Sequence, residues 1–333
     1  METNLRPLTL GEILDRTAQL YRTHFILLAG IASVNATALL AFSLAQIAVQ
    51  ETLRAHHMTS QLVWVTIVGS VIAVPVMIMV GGVVVAANNR AVSWVHLGEP
   101  ASIGAAYRSI FPKLGRYLWL MTVTALIVWV PIGLLYAGYL AFVLLYVRPR
   151  GILTQAAGAH DPQAYLVFVV VTLAFVLLAL AGVVYAILMG LRYSLAVPSC
   201  VIEDIKATKA LRRSAELSKG SRGRIFLLGL LVVAVQTGLT MITQIFFLVA
   251  AFRSHGQLSV GIRVLQQLVA FCTNTFVGPI YATGFTLFYY DQRVRKEGFD
   301  LEWMMKAAGL HPQATAPTAE NAFLSAPTEG PLA

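Results

Sequence analysis

Charge is scarce in this 333-residue chain and unevenly placed. Asp, Glu, Lys and Arg make up 12% of it, and six long stretches, 23–50, 55–89, 117–147, 162–191, 225–252 and 264–290, contain none at all. Each exceeds the roughly 20 residues with which a helix crosses the hydrocarbon of a bilayer. A soluble globular domain is excluded on that ground. With 58% hydrophobic residues and a mean hydropathy of +0.74, the stretches predict six transmembrane helices in an all-α, polytopic membrane bundle. The first stretch follows a polar segment and is too long for a signal-peptide core, so it reads as a retained helix.

Other absences narrow the function. A charged side chain at a helix centre costs about 2.5–3.5 kcal/mol on insertion scales, and none lies within the six stretches. That argues against a proton-coupled pump built on membrane carboxylates. Only two cysteines occur, Cys200 and Cys272, and they lack metal-ligand spacing. The outer-loop histidines His56, His57, His160 and His255, beside Glu51 and Asp161, also lack the spacing that places two imidazoles on one helix face. No Ser-His-Asp or Cys-His frame is recognisable. The expectation is therefore no catalytic residue, no metal, no cofactor, and a protein that is not an enzyme.

Basic residues are present in number, and their placement carries information. Of 24 Lys and Arg, 19 fall in segments 1–22, 90–116, 192–224 and 291–333, and 5 in the alternate loops. Basic loops resist translocation, so both termini are expected in the cytoplasm, and Cys200 is expected to react with an impermeant thiol reagent only in permeabilised cells. The net charge of +9 is then largely topological, and nucleic acid is not needed to explain it.

The inner segments are more than connectors. Thr9 and Glu12 have capping-box spacing, and Leu10, Ile13, Leu14, Thr17, Leu20 and Tyr21 share one helical face. Similar stretches, ASIGAAYRSIF and DIKATKALRRSAELS, precede the third and fifth spans. Three inner-face amphipathic helices and a threefold internal repeat follow, anchored by Arg16-Thr17, Arg108-Ser109 and Arg213-Ser214 at offsets of 92 and 105. Gly182, Ala186 and Gly190 form a stripe for close helix packing. Pro75 and Pro279 sit a dozen or so residues before the polar ends Asn88-Asn89-Arg90 and Asp291-Gln292-Arg293, as tolerated kinks or as hinges.

Three stretches, LRPLTLGEILDRTAQLYRTHF at 5–25, LAVPSCVIEDIKATKALRRSAELSKG at 195–220 and YYDQRVRKEGFDLE at 289–302, resemble the membrane-domain family named after glycerophosphoryl diester phosphodiesterase. The third is the most specific, and the resemblance runs to about residue 305. It implies a six-span bacterial membrane module without established activity, sometimes fused to a catalytic barrel. That barrel and its His-Arg-Gly and Glu-Asn-Thr pattern are absent from this chain.

Residues 203–224, EDIKATKALRRSAELSKGSRGR, concentrate the basic charge. Pro198 is expected to end the fourth span's exit, and Glu203 and Asp204 to start a helix. On that helix Lys206, Lys209 and Arg213 share one face and Ala207, Ala210, Leu211, Ser214 and Leu217 another, and it is expected to lie on the inner leaflet. Lys206, Lys209, Arg212, Arg213, Lys219, Arg222 and Arg224 are candidate contacts to anionic lipid, or only a topology signal. Residues 1–306 form the membrane domain and 307–333 an Ala-, Pro- and Thr-rich tail expected to be disordered. The reading is a non-enzymatic module in the bacterial cytoplasmic membrane that packs with lipid, with a second copy or with a partner membrane protein. The alternative is a transporter of a small or lipid-like solute, with Asn88, Gln266 and Asn274 on a polar pathway.

Overall fold

The computed structural model describes residues 6–56, 58–150, 152, 162–254 and 258–307. Among them the chain is all-helical. The order is α1 (Leu10–Thr23), α2 (Phe25–Ala55), α3 (Thr59–His96), α4 (Ile103–Ile110), α5 (Leu114–Phe142), α6 (Pro162–Tyr193), α7 (Ala196–Ile202), α8 (Ala207–Ser218), α9 (Arg222–Arg253), α10 (Val260–Glu297) and α11 (Phe299–Ala307). Helices α2, α3, α5, α6, α9 and α10 carry six segments long and apolar enough to cross a membrane. This is a multi-pass membrane protein with an all-α bundle. His57, His160, Asp161 and His255, and the tail from residue 308, lie outside the described residues.

Amphipathic helices form in all three stretches that the pattern marks. Glu12 N–H donates to Thr9 Oγ1 at 3.3 Å and Thr9 N–H to Glu12 Oε2 at 2.7 Å, closing the capping box of α1. Ser102 caps α4 through the Ala105 N–H at 3.2 Å. Helix α8 starts at Lys206 without a side-chain cap. The three N-cap positions, Thr9, Ser102 and Lys206, coincide at offsets of 93 and 104. So do the buried sets Ile13, Ala106, Ala210 and Thr17, Ile110, Ser214. The register of α1 against α8 is as the Arg-Thr and Arg-Ser pairs indicate, but α4 is displaced by one residue from the Arg108-Ser109 anchor. Burial sets this register, because slipping one position on a helix turns a side chain by about 100°.

Burial concentrates at one end of the bundle. One apolar cluster joins α2, α3, α4, the start of α5, α7 and α8, and a second joins α1, the start of α9, the end of α10 and Phe299. The opposite half is held more loosely. Helices α5 and α6 pair through the stacked rings of Tyr139 and Phe175 at 4.0 Å and a 2.8 Å bond from Tyr185 Oη to the Ile127 carbonyl. No residue in the most apolar window of α6 is buried, so that helix faces outward along most of its length. A Cβ on Gly182 would meet Ile132 at 3.8 Å, but one on Gly190 would meet nothing within 4 Å. The small-residue stripe is thus not a continuous close approach within the chain.

Helix α10 sets the vertical scale. Its 38 residues span about 57 Å, nearly twice the hydrocarbon thickness. Arg263 pairs with Glu51 of α2 near one end. Asp291 lies 28 residues further on, about 42 Å along the helix axis, so both groups clear the roughly 30 Å apolar slab. Pro75 and Pro279 are accommodated inside continuous helices. Pro198 does not end the fourth span: α6 stops at Tyr193, and Pro198 occupies the first turn of α7, where the missing N–H leaves no bond unmade.

Candidate functional site on the basic face

The motif YYDQRVRKEG at 289–298 closes α10, and Gly298, at φ +66°, supplies the left-handed residue that ends the helix. The Asp291 side chain is 0% exposed. It accepts the Leu8 N–H at 2.8 Å, Arg295 Nε at 2.9 and 3.0 Å, and the amide of Gln292 at 3.1 Å. Arg224 Nη1 lies 3.1 Å from Oδ2 of the same carboxylate. Arg224 and Arg295 also donate to the Leu8 carbonyl, at 2.9 and 2.6 Å. Ser221 donates to Gln292 Oε1. One buried carboxylate thereby ties the lead-in of α1, the start of α9 and the end of α10 together. A buried charge is tolerated only when it is paired and hydrogen-bonded in this way.

A second network runs beside it. Arg213 Nε donates to both oxygens of Glu203, at 2.9 and 3.1 Å, and Arg213 Nη2 pairs with Glu297 at 2.5 Å. Arg293 pairs with Glu297 at 3.1 Å, and Tyr289 Oη donates to Glu203 at 2.6 Å. Burial by itself would make Arg213 easier to deprotonate, but its bonds to Glu297 and Glu203 prevail and raise its pKa. Lys296 Nζ donates to the carbonyls of Glu216, Leu217 and Lys219, at 3.0, 2.9 and 2.6 Å. It thus satisfies orphan acceptors at the end of α8. Sequence alone leaves the partners of Glu297 and Arg295 unnamed: Glu297 takes Arg213 and Arg293, whereas Arg295 takes Asp291 one turn back.

Glu203 and Asp204 do not start α8, contrary to the dipole expectation. Asp204 adopts φ +56°, a conformation Asp tolerates better than most residues. It pairs with Lys113 and Arg116, at the start of α5. The hydrogen bond from Lys113, with that from Arg116, outweighs partial burial and holds its carboxyl below the usual range. Ser214 is 0% exposed; it donates to the Arg192 carbonyl at 2.9 Å and accepts the Leu195 N–H at 3.1 Å. That exchange repairs the break between α6 and α7.

The seven basic candidates fall into two groups. Lys206, Lys209, Lys219 and Arg222 are exposed, and Arg212, 84% exposed, reaches only Glu216 one turn on. Arg213 and Arg224 are engaged in the two networks, with side chains 26% and 31% exposed. The five residues that share the other face of α8, Ala207, Ala210, Leu211, Ser214 and Leu217, are all buried. Cys200 is 0% exposed. Its burial makes it a poor labelling reporter, whichever side of the membrane it is on.

Asn88, Gln266 and Asn274 are not brought together. Asn88 is buried, and its Oδ1 has no partner among the described residues. Gln266 donates to Gln244 at 2.7 Å, and exposed Asn274 donates to the Ala270 carbonyl of its own helix at 2.9 Å. Thr286 bonds Asn89, which places Asn88 near the level of residue 286. Twenty residues of helix separate that level from Gln266, about 30 Å.

Three openings accompany these groups. An apolar groove of about 890 Å³ between α3 and α5 runs past Pro75, Met121 and Trp129. A cavity of about 230 Å³ between α2 and α10 is lined by Gln46, Gln50, Arg263, Gln266 and Gln267. A third, of about 260 Å³, lies on the basic face beside Arg90 and Arg293. No group of three or more His, Cys, Asp or Glu side chains suited to a metal occurs among the described residues. Sequence reasoning missed the two carboxylate networks, although the density of charge in YYDQRVRKEG, at the end of an uncharged run, was the signal for them. Set against protein-family models, curated proteins and solved structures, the chain matches none.

Proposed function

We propose that this chain is a non-enzymatic six-span module of the glycerophosphoryl diester phosphodiesterase membrane-domain type. In this reading it sits in a bacterial cytoplasmic membrane with both termini inside, and α8 meets anionic lipid of the inner leaflet. The observation that carries the reading is the division of basic residues on α8 and the following turn. Arg213 and Arg224 are taken up internally, while Lys206, Lys209, Arg212, Lys219 and Arg222 stay exposed above a buried apolar face. Near an anionic leaflet each exposed Lys or Arg contributes about 1 kcal/mol. Action without catalysis is supported by the carboxylates: Glu203, Asp204, Asp291 and Glu297 are each held by two or more donors, which leaves none of them poised as a general base.

The test is Lys206→Gln, Lys209→Gln, Lys219→Gln and Arg222→Gln combined, with lipid mass spectrometry of wild type and variant in one detergent. Co-purified anionic lipid is expected to fall while folding is unchanged, since Gln keeps helix propensity. Unchanged lipid content would reduce the cluster to a topology signal. The second reading, a transporter, draws on the polar cavity around Gln266. Its test is solute flux into proteoliposomes that is lost in Gln266→Leu.

A further inference from the structure

The cavity of about 260 Å³ on the basic face holds a mismatch in its charges. Arg90 lines it, its Nε is buried without a hydrogen-bond partner, and it forms no ion pair among the described residues. A buried guanidinium donor left without a partner is costly, and none of the acceptors that line the cavity forms a hydrogen bond or ion pair with Arg90 among the described residues. Glu99 lines the same cavity at its exposed rim, and its carboxylate forms no ion pair among the described residues. Arg293 lines it too, lying 4.2 Å over the Phe299 ring. Its partners Glu297 and Glu302, the latter at 3.7 Å, do not exhaust its five donors.

Arg90 and Arg293 are the arginines of the two corresponding polar ends, Asn88-Asn89-Arg90 and Asp291-Gln292-Arg293, on α3 and α10. Two pseudo-equivalent cations thus converge on one opening. Trp94 and Trp303 complete its wall, and tryptophan belongs at the level of the headgroups. The size lies just below the roughly 300 Å³ at which small-molecule pockets begin, which suits a headgroup and not a whole lipid.

We infer that this cavity binds a phosphate ester carrying a nearby ammonium, the phosphoethanolamine class, with the phosphate on Arg90 and Arg293 and the ammonium between Glu99 and the indole rings. Guanidinium groups take phosphate oxygens through paired, charge-assisted bonds. A carboxylate beside aromatic faces takes the cation. A purely anionic ligand would leave Glu99 unpaired and repelled. The inference uses none of the exposed residues of α8 and stands apart from the lipid-contact reading.

The experiment measures thermal stabilisation of delipidated, full-length protein by four probes: dihexanoyl phosphatidylethanolamine, dihexanoyl phosphatidylglycerol, soluble phosphoethanolamine and inorganic phosphate. Dihexanoyl phosphatidylethanolamine is expected to stabilise wild type more than phosphatidylglycerol or phosphate does. Arg90→Gln and Glu99→Gln should each weaken that response at least about tenfold, as loss of one charge-assisted contact implies. Without ligand, Arg90→Gln should be no less stable than wild type, because the side chain has no hydrogen bond or ion pair among the described residues to lose; a merely structural arginine would destabilise. Equal stabilisation by soluble phosphoethanolamine would support the site and place its ligand in solution, not in the leaflet. Leu97→Trp, which adds bulk to the lining of the cavity while keeping Arg90, Glu99 and Arg293, should abolish the response even if Arg90→Gln fails to fold. The inference is overturned if phosphatidylethanolamine gives no stabilisation, if phosphatidylglycerol matches it, or if Leu97→Trp responds like wild type.

Discussion

Replacing Asp291 by Asn keeps the shape of the side chain and an acceptor for the Leu8 N–H, but it removes the charge that Arg224 and Arg295 share. Removing one partner of a buried ion pair costs about 3–5 kcal/mol. Here the two arginine side chains are 31% and 37% exposed and can relax toward water, so the lower end, about 3 kcal/mol, applies. Unfolding of such a protein in detergent is best followed as a rate. If the network is broken in the transition state, that cost accelerates inactivation by up to about 150-fold. The reporter is alkylation of buried Cys200 in a Cys272→Ser background, because Cys200 is 0% exposed until the basic end opens. Asp15→Asn, which alters an exposed carboxylate on α1, is the control. Adding Arg295→Gln to Asp291→Asn should recover part of the lost half-life by removing one of the stranded charges. A half-life for Asp291→Asn within about twofold of the control, which is under 0.5 kcal/mol, would refute the assignment of Asp291 as the tie between α1, α9 and α10.

Ser214→Ala strands the Leu195 N–H and leaves the Arg192 carbonyl only the 3.4 Å bond from Ser218, a loss of about 1–3 kcal/mol, whereas Ser109→Ala breaks only a bond to Ala106 within α4 and should be near neutral; equal losses in the Cys200 assay would contradict the one-residue displacement of α4. Because the folded pKa of Asp204 is depressed, its contribution is complete above the ordinary carboxylate value of about 3.9 and is lost as pH falls through the lower folded value. Stability measured from pH 6 to 3 should therefore fall less steeply at the acid end in Asp204→Asn than in wild type, and parallel curves would be contrary to that linkage. For orientation, a cysteine at His56 should react with an impermeant maleimide in intact cells and a cysteine at Lys209 only after permeabilisation; the reverse pattern would invert the topology.

What the residues determine alone is whatever follows from local pattern. Six uncharged runs longer than a bilayer crossing leave the backbone no way to satisfy its polar groups except as helices, and the six spans appear accordingly. The capping box at Thr9 and Glu12, and the apolar faces of α1 and α8, are likewise short-range facts of spacing. Which charge meets which is not of that kind. Glu203 reaches Arg213 ten residues on and Tyr289 eighty-six residues on, and Asp291 bonds the backbone of Leu8 283 residues away. Nothing in the composition of 203–224 separates Arg213 and Arg224, engaged in the interior, from Lys206, Lys209 and Arg222 on the surface. The distinction depends on where α10 emerges and how far its last two turns pass beyond the apolar slab. The Arg90 cavity is decided in the same way. A guanidinium at the end of an apolar helix reads as a topology signal in sequence, and only the packing of α3, α7, α10 and α11 sets it beside an opening with its Nε unpartnered. Electrostatic partners are chosen by distance in space, and the chain sets that distance only once its helices have packed.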